Sequence, residues 1–534
     1  MTNNQQNNQN FLLGEGTSRD VGKSAQKMNI LAAKLVGETV RTTLGPQGMD
    51  KMIVNSVGDV IITNDGATIL REMNIEHPTA KMIVEIAITQ EEEVGDGTTT
   101  AVVLAGELLK QAEELLDQNI HPTTIIKGFR LAAKKSQIIL RNMSEKITAK
   151  DKPTLHKLAM TAMTGKVAED AKEHLGKIVV DAISHLEDSS NLNNIKIETK
   201  VGSSVHNTEL IEGIVIDKEK VHPSMPKKIT NAKIVLINSA LEIPTTETES
   251  KISITDPSQL QQFLDMEESM LKKQVDKIIS TGANVVFCQK GIDDVIQYLL
   301  SKNGIYATRR VKKSDLEKLA SATGATVVNN VNDLQKEHVG RSGIVEEIKV
   351  GEELMTFVKE CKHARAVTIL VRATTEHIAD EVKRAIDDAL GNVSSALGNM
   401  SIVGGAGACE IELARNLRKY AENLSGKERL SVLAYAKAME IIPRTLAENA
   451  GLDPINVISD LNAAHATGKK WAGLNVETGK PLNALKEGII EPLKIKTQAL
   501  GSASEVAVLI LRIDDIIIAG ANEPVKGNPS DDLN

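Results

Sequence analysis

The stretch VGDGTTT at residues 94–100 constrains the fold of this chain more than any other feature. Gly95, Asp96 and Gly97 predict a tight bend, because glycine and aspartate are residues that turns prefer. The threonines lead into an apolar run at helical spacing over residues 101–116, which predicts a helix that begins at the bend. The start of a helix presents unpaired backbone N–H groups and partial positive charge, so the stretch predicts a site for phosphate.

A carboxylate in this bend suits a metal bound together with phosphate. Asp96 has the wrong charge for phosphate, but Mg²⁺ takes oxygen ligands from one or two carboxylates and from phosphate groups. A purely structural interpretation stays open, in which Asp-Gly is a turn and Thr98 caps the helix. The Walker A motif is excluded, since no Gly-Lys-Ser/Thr follows. A second bend, Asn64-Asp65-Gly66, also leads into a helical pattern, and two such bends favour a phosphate–metal site.

Composition excludes several classes of protein. With 534 residues, the chain is long enough for about three domains. Only 2% of the residues are aromatic and the formal net charge is −8, which argues against nucleic-acid binding. No apolar run reaches the roughly 18 residues of a membrane span, and the polar, uncharged start of the chain shows no signal peptide. We therefore expect a cytoplasmic protein that binds neither nucleic acid nor membrane.

The three cysteines indicate neither a metal site nor a disulfide framework. Cys288, Cys361 and Cys409 are far apart in sequence and form no CxxC pair. We expect them to be buried free thiols in a reducing compartment.

Glycine-rich bends and acidic turns occur in the first and last thirds of the chain but not in the middle third. A helix predicted at 24–43 ends at the Leu-Gly-Pro turn around Gly45, and two short strands are predicted within 51–63. A third glycine-rich helix start lies at 403–410. This distribution predicts a nucleotide module assembled from both ends of the chain, with another domain inserted between them. Residues 1–16 are rich in Asn and Gln and predict a disordered tail.

The middle third alternates strand and helix patterns, which predicts a separate α/β domain over roughly 215–370. Residues 243–264, rich in Thr, Glu and Ser, interrupt this domain as either a disordered insertion or a functional lid. Beyond it, a long amphipathic helix carries Asp387 and Asp388. An aspartate pair in a helix is usually only a solvated face.

Eight motifs stand in an order that is specific to one family. They are TVRTTLGPQGMDKM at 39–52, TNDGATIL at 63–70, GDGTTT at 95–100, GIVIDKEKVHPSMPK at 213–227, RRVKKSDLEKLASATGA at 309–325, GGAGACEIELA at 404–414, KTQA at 496–499 and LRIDDII at 511–517. With these motifs the sequence resembles a group II chaperonin subunit, of the thermosome kind and related to the eukaryotic cytosolic chaperonin. The resemblance covers essentially the whole chain outside the two tails.

The resemblance implies a multidomain fold with three domains. They are a mostly α equatorial ATPase domain at 1–149 and 405–534, an α+β intermediate hinge domain at 150–216 and 371–404, and an α/β apical client-binding domain at 217–370. A helical lid protrusion is implied at about 243–275, which would make the insertion a built-in lid.

The resemblance also implies roles for individual residues in a site for ATP and Mg²⁺. Asp96 is expected to hold Mg²⁺, and Asp65 is expected to lie beside the γ-phosphate as a catalytic residue. Asp388 is expected to position the attacking water, and Lys166 to approach the nucleotide when the hinge closes. The residues expected to bind the nucleotide itself are Gly45, Gly97, Thr98, Thr99, Thr100, Thr164, Gly165, Gly407 and Glu505.

These roles imply an ATP-driven folding machine that hydrolyses ATP to ADP and phosphate. Its expected partners are unfolded protein clients, and identical or paralogous subunits in stacked rings of eight or nine. Client contact is expected on the helix at 314–322. Phosphoryl transfer to water needs a metal, donors on the phosphate oxygens and an oriented water, which these residues could supply. Two alternatives are a metabolic enzyme such as a kinase, and a scaffold with a vestigial ATP site, against which the three retained aspartates argue.

Four features depart from the family pattern. Gln47 stands where lysine is usual, Asn483 where aspartate is frequent, and Ala406 interrupts a usual triple glycine. The last residues lack the Gly-Gly-Met repeats that many members carry. None of these changes removes a group expected on phosphate or metal, so an active ATPase is expected.

Overall fold

A computed structural model of the 534-residue chain describes residues 18–55, 58–186, 191–243, 257–361 and 366–518. The chain divides into two units. Unit 1 joins both ends of the chain, Met1–Glu145 and Val403–Asn534, and unit 2 is the segment Lys146–Ile402. None of the helices that the structure describes has the length and apolar character that a membrane span requires.

Seventeen α-helices run through the described residues. Several begin at a side chain that accepts a hydrogen bond from the first turn, such as Asp65, Asp151 and Thr375. In chain order the helices are α1 (Lys23–Arg41), α2 (Gly66–Glu72), α3 (Pro78–Val94), α4 (Thr98–Asp117), α5 (Pro122–Met143), α6 (Lys152–Met163), α7 (Lys172–Ser184), α8 (Pro257–Ser280), α9 (Asp294–Lys302), α10 (Lys313–Thr323), α11 (Glu376–Asn399), α12 (Ala408–Glu422), α13 (Gly426–Met439), α14 (Ile441–Asn449), α15 (Pro454–Ala466), α16 (Ala484–Glu487) and α17 (Leu493–Leu511).

Nineteen strands, most of them short, accompany the helices in the same part of the chain. They are β1 (Ser18–Val21), β2 (Lys51–Val54), β3 (Val60–Thr63), β4 (Glu145–Lys146), β5 (Ile195–Val201), β6 (Glu209–Ile211), β7 (Gly213–Ile216), β8 (Lys228–Ile237), β9 (Val285–Cys288), β10 (Tyr306–Thr308), β11 (Val327–Val328), β12 (Gly340–Val350), β13 (Glu353–Lys359), β14 (Val367–Ala373), β15 (Ser401–Gly404), β16 (Ala472–Leu474), β17 (Pro481–Asn483), β18 (Ile490–Pro492) and β19 (Asp515–Ile518).

Unit 1 is mostly helical, and α4 lies in its core. Every residue from Ala101 to Gly106 is buried, because α1, α3, α13 and α17 pack around this helix. A Cβ on Gly37 of α1 would lie 3.5 Å from the Gly106 Cα, so the absence of two side chains lets α1 and α4 approach closely. Phe129 and Tyr435 pack edge to face, with ring centroids 5.5 Å apart. The helix predicted to follow the VGDGTTT bend is therefore confirmed as a core element.

A two-stranded antiparallel sheet in unit 1 joins the first and last described segments. β1 pairs with β19, and Arg19 Nε donates a hydrogen bond of 3.0 Å to Asp515 Oδ1. The sequence does not predict β1, because four residues of mixed polarity are too few to show a strand period. The predicted hairpin within 51–63 is confirmed as the antiparallel pair β2 and β3.

Unit 2 contains a seven-stranded sheet in the order β10-β9-β8-β12-β13-β7, with β11 beside β8. β8, β9, β10 and β11 are parallel, and α8, α9 and α10 alternate with them, as the pattern of the middle third predicts. Ile234 and Leu236 belong to the core on one face of the sheet, and Val235 and Ile237 to the core on the other. The antiparallel strands β12 and β13 are not predicted, since their charged and half-exposed residues resemble a loop.

A second, three-stranded sheet in unit 2 places β14 between β5 and β6. β14 runs parallel to β5 and antiparallel to β6. α11 packs against both α6 and α7. The residues of the expected intermediate and apical domains fall almost entirely within unit 2. The division of the chain into three domains stays a prediction.

Two expectations fall wholly or partly on residues outside the described ranges. The predicted disordered tail at 1–16 is one of them. Residues 244–256 of the predicted lid protrusion also lie outside the described residues, and its residues 257–275 belong to α8.

All three cysteines are buried free thiols, as predicted, and the reducing compartment stays a prediction. Burial raises the pKa of the Cys288 and Cys361 thiols to about 11. Burial also raises the pKa of Cys409 well above its usual value. These thiols stay protonated near neutral pH and are therefore poor nucleophiles.

Candidate functional site

The two Asp-Gly bends lie side by side in unit 1. Asp65 caps α2, since its Oδ2 accepts a hydrogen bond of 2.7 Å from the Thr68 N–H. Its other oxygen accepts a hydrogen bond of 3.4 Å from Thr98 Oγ1, at the start of α4. Gly66 lies so close to α4 that a Cβ on it would be 2.5 Å from Thr99 Oγ1. Both bends therefore meet at the N-terminus of α4.

Two left-handed glycines shape the bend that opens α4. Gly95 ends α3 with a φ of 76°, and Gly97 precedes α4 with a φ of 80°, which glycine adopts without strain. Asp96 lies between them, and its Oδ1 accepts the Gly97 N–H at 2.6 Å. The side-chain amide of Gln90 donates to the Asp96 carbonyl at 2.9 Å. A Cβ on Gly97 would be 2.6 Å from Ile495 Cγ2, so the packing also requires glycine here.

The start of α4 has the chemistry of an anion site. The N–H groups of Thr98, Thr99 and Thr100 lie in the first turn, where the helix itself supplies no acceptor. Gly97 at the N-cap has no side chain, and α4 has no side-chain cap among the described residues. The helix dipole adds partial positive charge at this end. Backbone donors and threonine hydroxyls in this arrangement suit the oxygens of a phosphate group.

The carboxylates beside this turn fit a metal that arrives with phosphate. Within the described residues, no group of three or more His, Cys, Asp or Glu side chains is arranged to hold a metal by itself. Mg²⁺ does not need such a cage, because one or two carboxylates commonly bind it together with phosphate oxygens and waters. Asp65 and Asp96, on adjoining bends, are carboxylates of this kind.

α14 brings two further predicted residues together. A Cβ on Gly45 would lie 2.2 Å from Leu446 Cδ2, and a Cβ on Gly407 would lie 2.6 Å from Pro443 Cβ. Leu446 and Pro443 are three residues apart on α14 and so share one face of it. Both glycines have positive φ, 86° and 76° respectively. The turn after α1 and the turn before α12 therefore rest on the same helix.

Two of the departures from the family pattern, Ala406 and Asn483, have local explanations. Ala406 has a φ of 53°, in the left-handed region that favours glycine. Its Cβ fits because the facing residue is Gly473, on which a Cβ would be 2.8 Å away. Asn483 caps α16, since its Oδ1 accepts the Lys486 N–H at 3.2 Å, a role that aspartate performs equally well. Gln47 is exposed.

A buried ion network adjoins the bend that carries Asp96. Lys496 Nζ lies 2.8 Å from Glu410 Oε1 and 2.8 Å from Glu491 Oε2. Burial raises the pKa of Glu491, Lys496 lowers it, and the charges of Glu410 and Asp96 raise it further. Glu491 is therefore within electrostatic range of Asp96. A Cβ on Gly405 would lie 2.8 Å from Glu491 Oε1, so this carboxylate faces the glycine-rich start of α12.

Of two late acidic residues, the sequence selected Glu505, whereas the structure places Glu491 beside the glycine-rich start of α12. Glu505 lies nine residues after Lys496 on α17, which is about 14 Å along the helix axis. There it lines an exposed groove with Arg130 and Arg512, and the structure does not bring it to the Asp-Gly bends. The signal for Glu491 is the acidic residue of the GIIEP stretch directly before α17.

In unit 2 the structure joins two predicted residues, Lys166 and Asp388, in an ion pair. Their side chains are only 15% and 17% exposed. Asp388 lies in the middle of α11, which packs against α6, and Lys166 follows the end of α6. Thr164 and Gly165 lie between the end of α6 and Lys166. The Thr164 hydroxyl donates a hydrogen bond to the Met160 carbonyl, and Gly165 turns the chain with a φ of 79°. Asp388 is therefore not the solvated surface charge that its helical position alone suggests.

Comparisons with known proteins agree with the resemblance carried by the motifs. The model of the TCP-1/cpn60 chaperonin family matches residues 36–521. The thermosome subunit of Methanothermococcus thermolithotrophicus is 57% identical over 512 residues, which are 95% of this chain and 94% of that protein. The thermosome subunit beta of Archaeoglobus fulgidus is 57% identical over 523 residues, 97% of this chain and 96% of that protein. The thermosome subunit of Pyrococcus horikoshii is 56% identical over 522 residues, 97% and 95% of the two chains.

The contact between the two bends can be tested by Gly66→Ala. The added Cβ would lie 2.5 Å from Thr99 Oγ1 and 3.1 Å from the Thr99 backbone, so the bends must move apart. We expect the free energy of unfolding to fall by about 1–3 kcal/mol, as for overpacked cores. The control is Gly398→Ala in α11, where a Cβ would meet nothing within 4 Å. That variant should gain about 0.5–1 kcal/mol. Urea unfolding of both variants measures this difference, and equal midpoints would contradict the packing described.

Proposed function

The chain belongs to the TCP-1/cpn60 chaperonin family, as a group II chaperonin subunit, and on that premise we propose that it hydrolyses ATP to drive the folding of client proteins. One observation carries the proposal. The Asp65 and Asp96 bends meet at the start of α4, whose first N–H groups have no side-chain cap. Such a cluster of donors and carboxylates suits the phosphates of a nucleotide with its Mg²⁺.

The phosphates are assigned to the first turn of α4. Their donors would be the backbone N–H groups and hydroxyls of Thr98, Thr99 and Thr100, and Gly97, whose N–H Asp96 Oδ1 accepts, would let the backbone approach them. Asp96 would hold Mg²⁺, and Asp65 would lie beside the γ-phosphate. When bound, Mg²⁺ neutralises charge on the phosphate oxygens, which is the main requirement of phosphoryl transfer. Gly45 and Gly407 would let the backbone approach the nucleotide closely, and both are held on α14.

For the late acidic residue of the site, Glu491 is favoured over Glu505. The carboxylate of Glu491 faces Gly405 and lies within electrostatic range of Asp96. Glu505 instead shares an exposed groove with Arg130.

Hydrolysis is assigned to the Lys166–Asp388 pair of unit 2. Asp388 would orient the attacking water as a general base, and Lys166 would approach the transferred phosphate. Thr164 and Gly165 belong to the loop that carries Lys166. A catalytic carboxylate carried on a hinged domain makes hydrolysis depend on closure, which couples ATP turnover to movement.

The proposed working form is a pair of stacked rings of identical or paralogous subunits. The equatorial domain would come from unit 1, and the intermediate and apical domains from unit 2. The lid would include residues 243–275, where α8 exposes Leu264, Met266 and Met270. Exposed apolar side chains of this kind suit contact with another protein. Client contact on α10 would use polar side chains, since Leu316, Leu319 and Ala322 of that helix are buried.

The role of Asp388 can be tested by Asp388→Asn, which keeps the size of the side chain and removes its charge. We expect ATP turnover to fall by on the order of 10²-fold, the usual contribution of a general base, while ADP binding is retained. The matched control is Asp380→Asn, an exposed aspartate on the same helix, which should leave turnover unchanged. Phosphate release and ADP calorimetry on ring-sized particles measure both quantities.

Three results would separate this proposal from its alternatives. Undiminished turnover by a small particle after Asp388→Asn would support a metabolic enzyme. A ring-sized particle that binds no ATP would support a scaffold. A wild-type ring that hydrolyses ATP but never improves the yield of a refolding client would contradict the proposed coupling.

A further inference from the structure

The first turn of α17 holds together the segments that form the candidate nucleotide site. Lys494 Nζ donates to the Glu93 carbonyl, near the end of α3, at 3.0 Å. The Ile495 side chain lies against Gly97 at the bend before α4. The Ile495 carbonyl also accepts the side-chain amide of Gln90 at 3.3 Å. Two consecutive residues of α17 thus fix the bend from the opposite end of the sequence.

Lys496, the next residue, is a buried cation between two carboxylates. Its side chain is 8% exposed and that of Glu410 is 5% exposed. The 2.8 Å contacts of its Nζ with Glu410 and Glu491 join the first turn of α12 to β18. Glu410 Oε2 is buried and has no hydrogen-bond partner among the described residues. Lys496 is therefore the cation that compensates the buried Glu410 carboxylate.

The charge of this cluster acts at the bend that carries Asp96. One lysine and two glutamates give the cluster a formal charge of −1, which would become −2 without the lysine. Lys496 directly follows Ile495, whose side chain lies against Gly97, the residue after Asp96, so the cluster adjoins this bend. The net charge of the cluster would therefore also act on any phosphate bound beside Asp96. Without the lysine, the buried Glu410 carboxylate and the partly exposed Glu491 carboxylate would repel that phosphate, because a largely buried site screens charge far less than water does.

We propose that Lys496 is a positioning residue of the nucleotide site, which holds Glu410 and Glu491 and offsets the charge of one of them beside Asp96. It lets the start of α4 accept a negatively charged Mg²⁺–nucleotide without touching that ligand. The inference rests on the ATP site proposed above. Lys496 is the first residue of the KTQA stretch. This stretch would therefore contribute to the affinity for the ligand and not only to packing.

A purely structural ion pair is the competing explanation, and the chain offers a matched control for it. Lys196 Nζ lies 2.9 Å from Asp315 Oδ1 and 3.1 Å from Glu198 Oε2, and its side chain is also 8% exposed. Lys196 lies on β5 in unit 2, and its ion-pair partners are not residues assigned to phosphate or Mg²⁺. Lys196→Met therefore reproduces the stability cost of losing a buried lysine between two carboxylates.

The test measures the Kd of MgADP by calorimetry at fixed ionic strength. Lys496→Met should weaken binding about tenfold, the effect of one unit charge roughly 10 Å away at an effective dielectric constant of about 20. The double variant Lys496→Met with Glu410→Gln restores the cluster to a formal charge of −1. It should bind within about threefold of wild type, because the charge and not the lysine itself sets the affinity. Lys196→Met should lower Tm and leave the Kd unchanged.

If Lys496→Met does not fold, Glu410→Gln alone distinguishes the proposed role of Lys496 from a purely structural ion pair. This variant keeps the lysine and brings the formal charge of the cluster to zero. We expect it to bind MgADP as tightly as wild type or more tightly, and to bind metal-free ADP more tightly. A structural ion pair predicts the opposite, since Glu410→Gln would loosen the start of α12 and weaken binding.

The outcomes distinguish this inference from the proposed function. A wild-type chain that binds no MgADP overturns both. Wild-type binding together with an unchanged Kd in Lys496→Met overturns the role of Lys496 alone. So does a double variant that binds no better than Lys496→Met, or a Glu410→Gln variant that binds less tightly than wild type.

Discussion

The close packing of Gly66 against the start of α4 is the constraint on which the candidate site depends. Because Gly66 has no Cβ, Thr99 can lie beside it and the Thr98 hydroxyl can reach Asp65. The same turn of α4 begins at Gly97, which a residue of α17 covers. Unit 1 is built from both ends of the chain, so helices from opposite ends of the sequence fix one bend. That is why the turn proposed to bind phosphate can be rigid although it consists of glycine, threonine and one aspartate.

Opposite charges are concentrated around this turn. Their sum, rather than any single charge, determines how well the turn can bind a phosphate together with a metal. The helix start offers partial positive charge, while Asp65 and Asp96 offer carboxylates for a metal. Buried ion networks such as that of Lys496 are poor sources of stability, because desolvation offsets much of the attraction between the charges. A functional reason for burying Lys496 and Glu410 is therefore needed, and adjusting the electrostatic potential at the proposed nucleotide site supplies one. The largely buried Lys166–Asp388 pair in unit 2 also needs a functional reason, and the proposed role in hydrolysis supplies one.

The parts of the site that the sequence predicts are those encoded in consecutive residues. The two Asp-Gly bends and the helix that follows VGDGTTT depend on local turn and helix chemistry, so a single sequence suffices to find them. Asp388 looks like a surface charge from its helical position, and only the family resemblance singled it out. Its partner Lys166 lies 222 residues away, a separation that no local pattern encodes. The proposed role of Glu491 is likewise not encoded locally, because it depends on the packing of β18 against the start of α12, far away in sequence.

The most direct test of the account is the Mg²⁺ dependence of ADP binding, measured by calorimetry on wild type and on Asp96→Asn. Mg²⁺ is assigned to Asp96 and the phosphates to the backbone of α4. Wild type should therefore bind ADP more tightly with Mg²⁺ than with EDTA, and Asp96→Asn should lose that difference while still binding metal-free ADP. An Asp96→Asn chain whose binding responds to Mg²⁺ as wild type does would contradict the assignment of the metal, and with it the central reading of the GDGTTT turn.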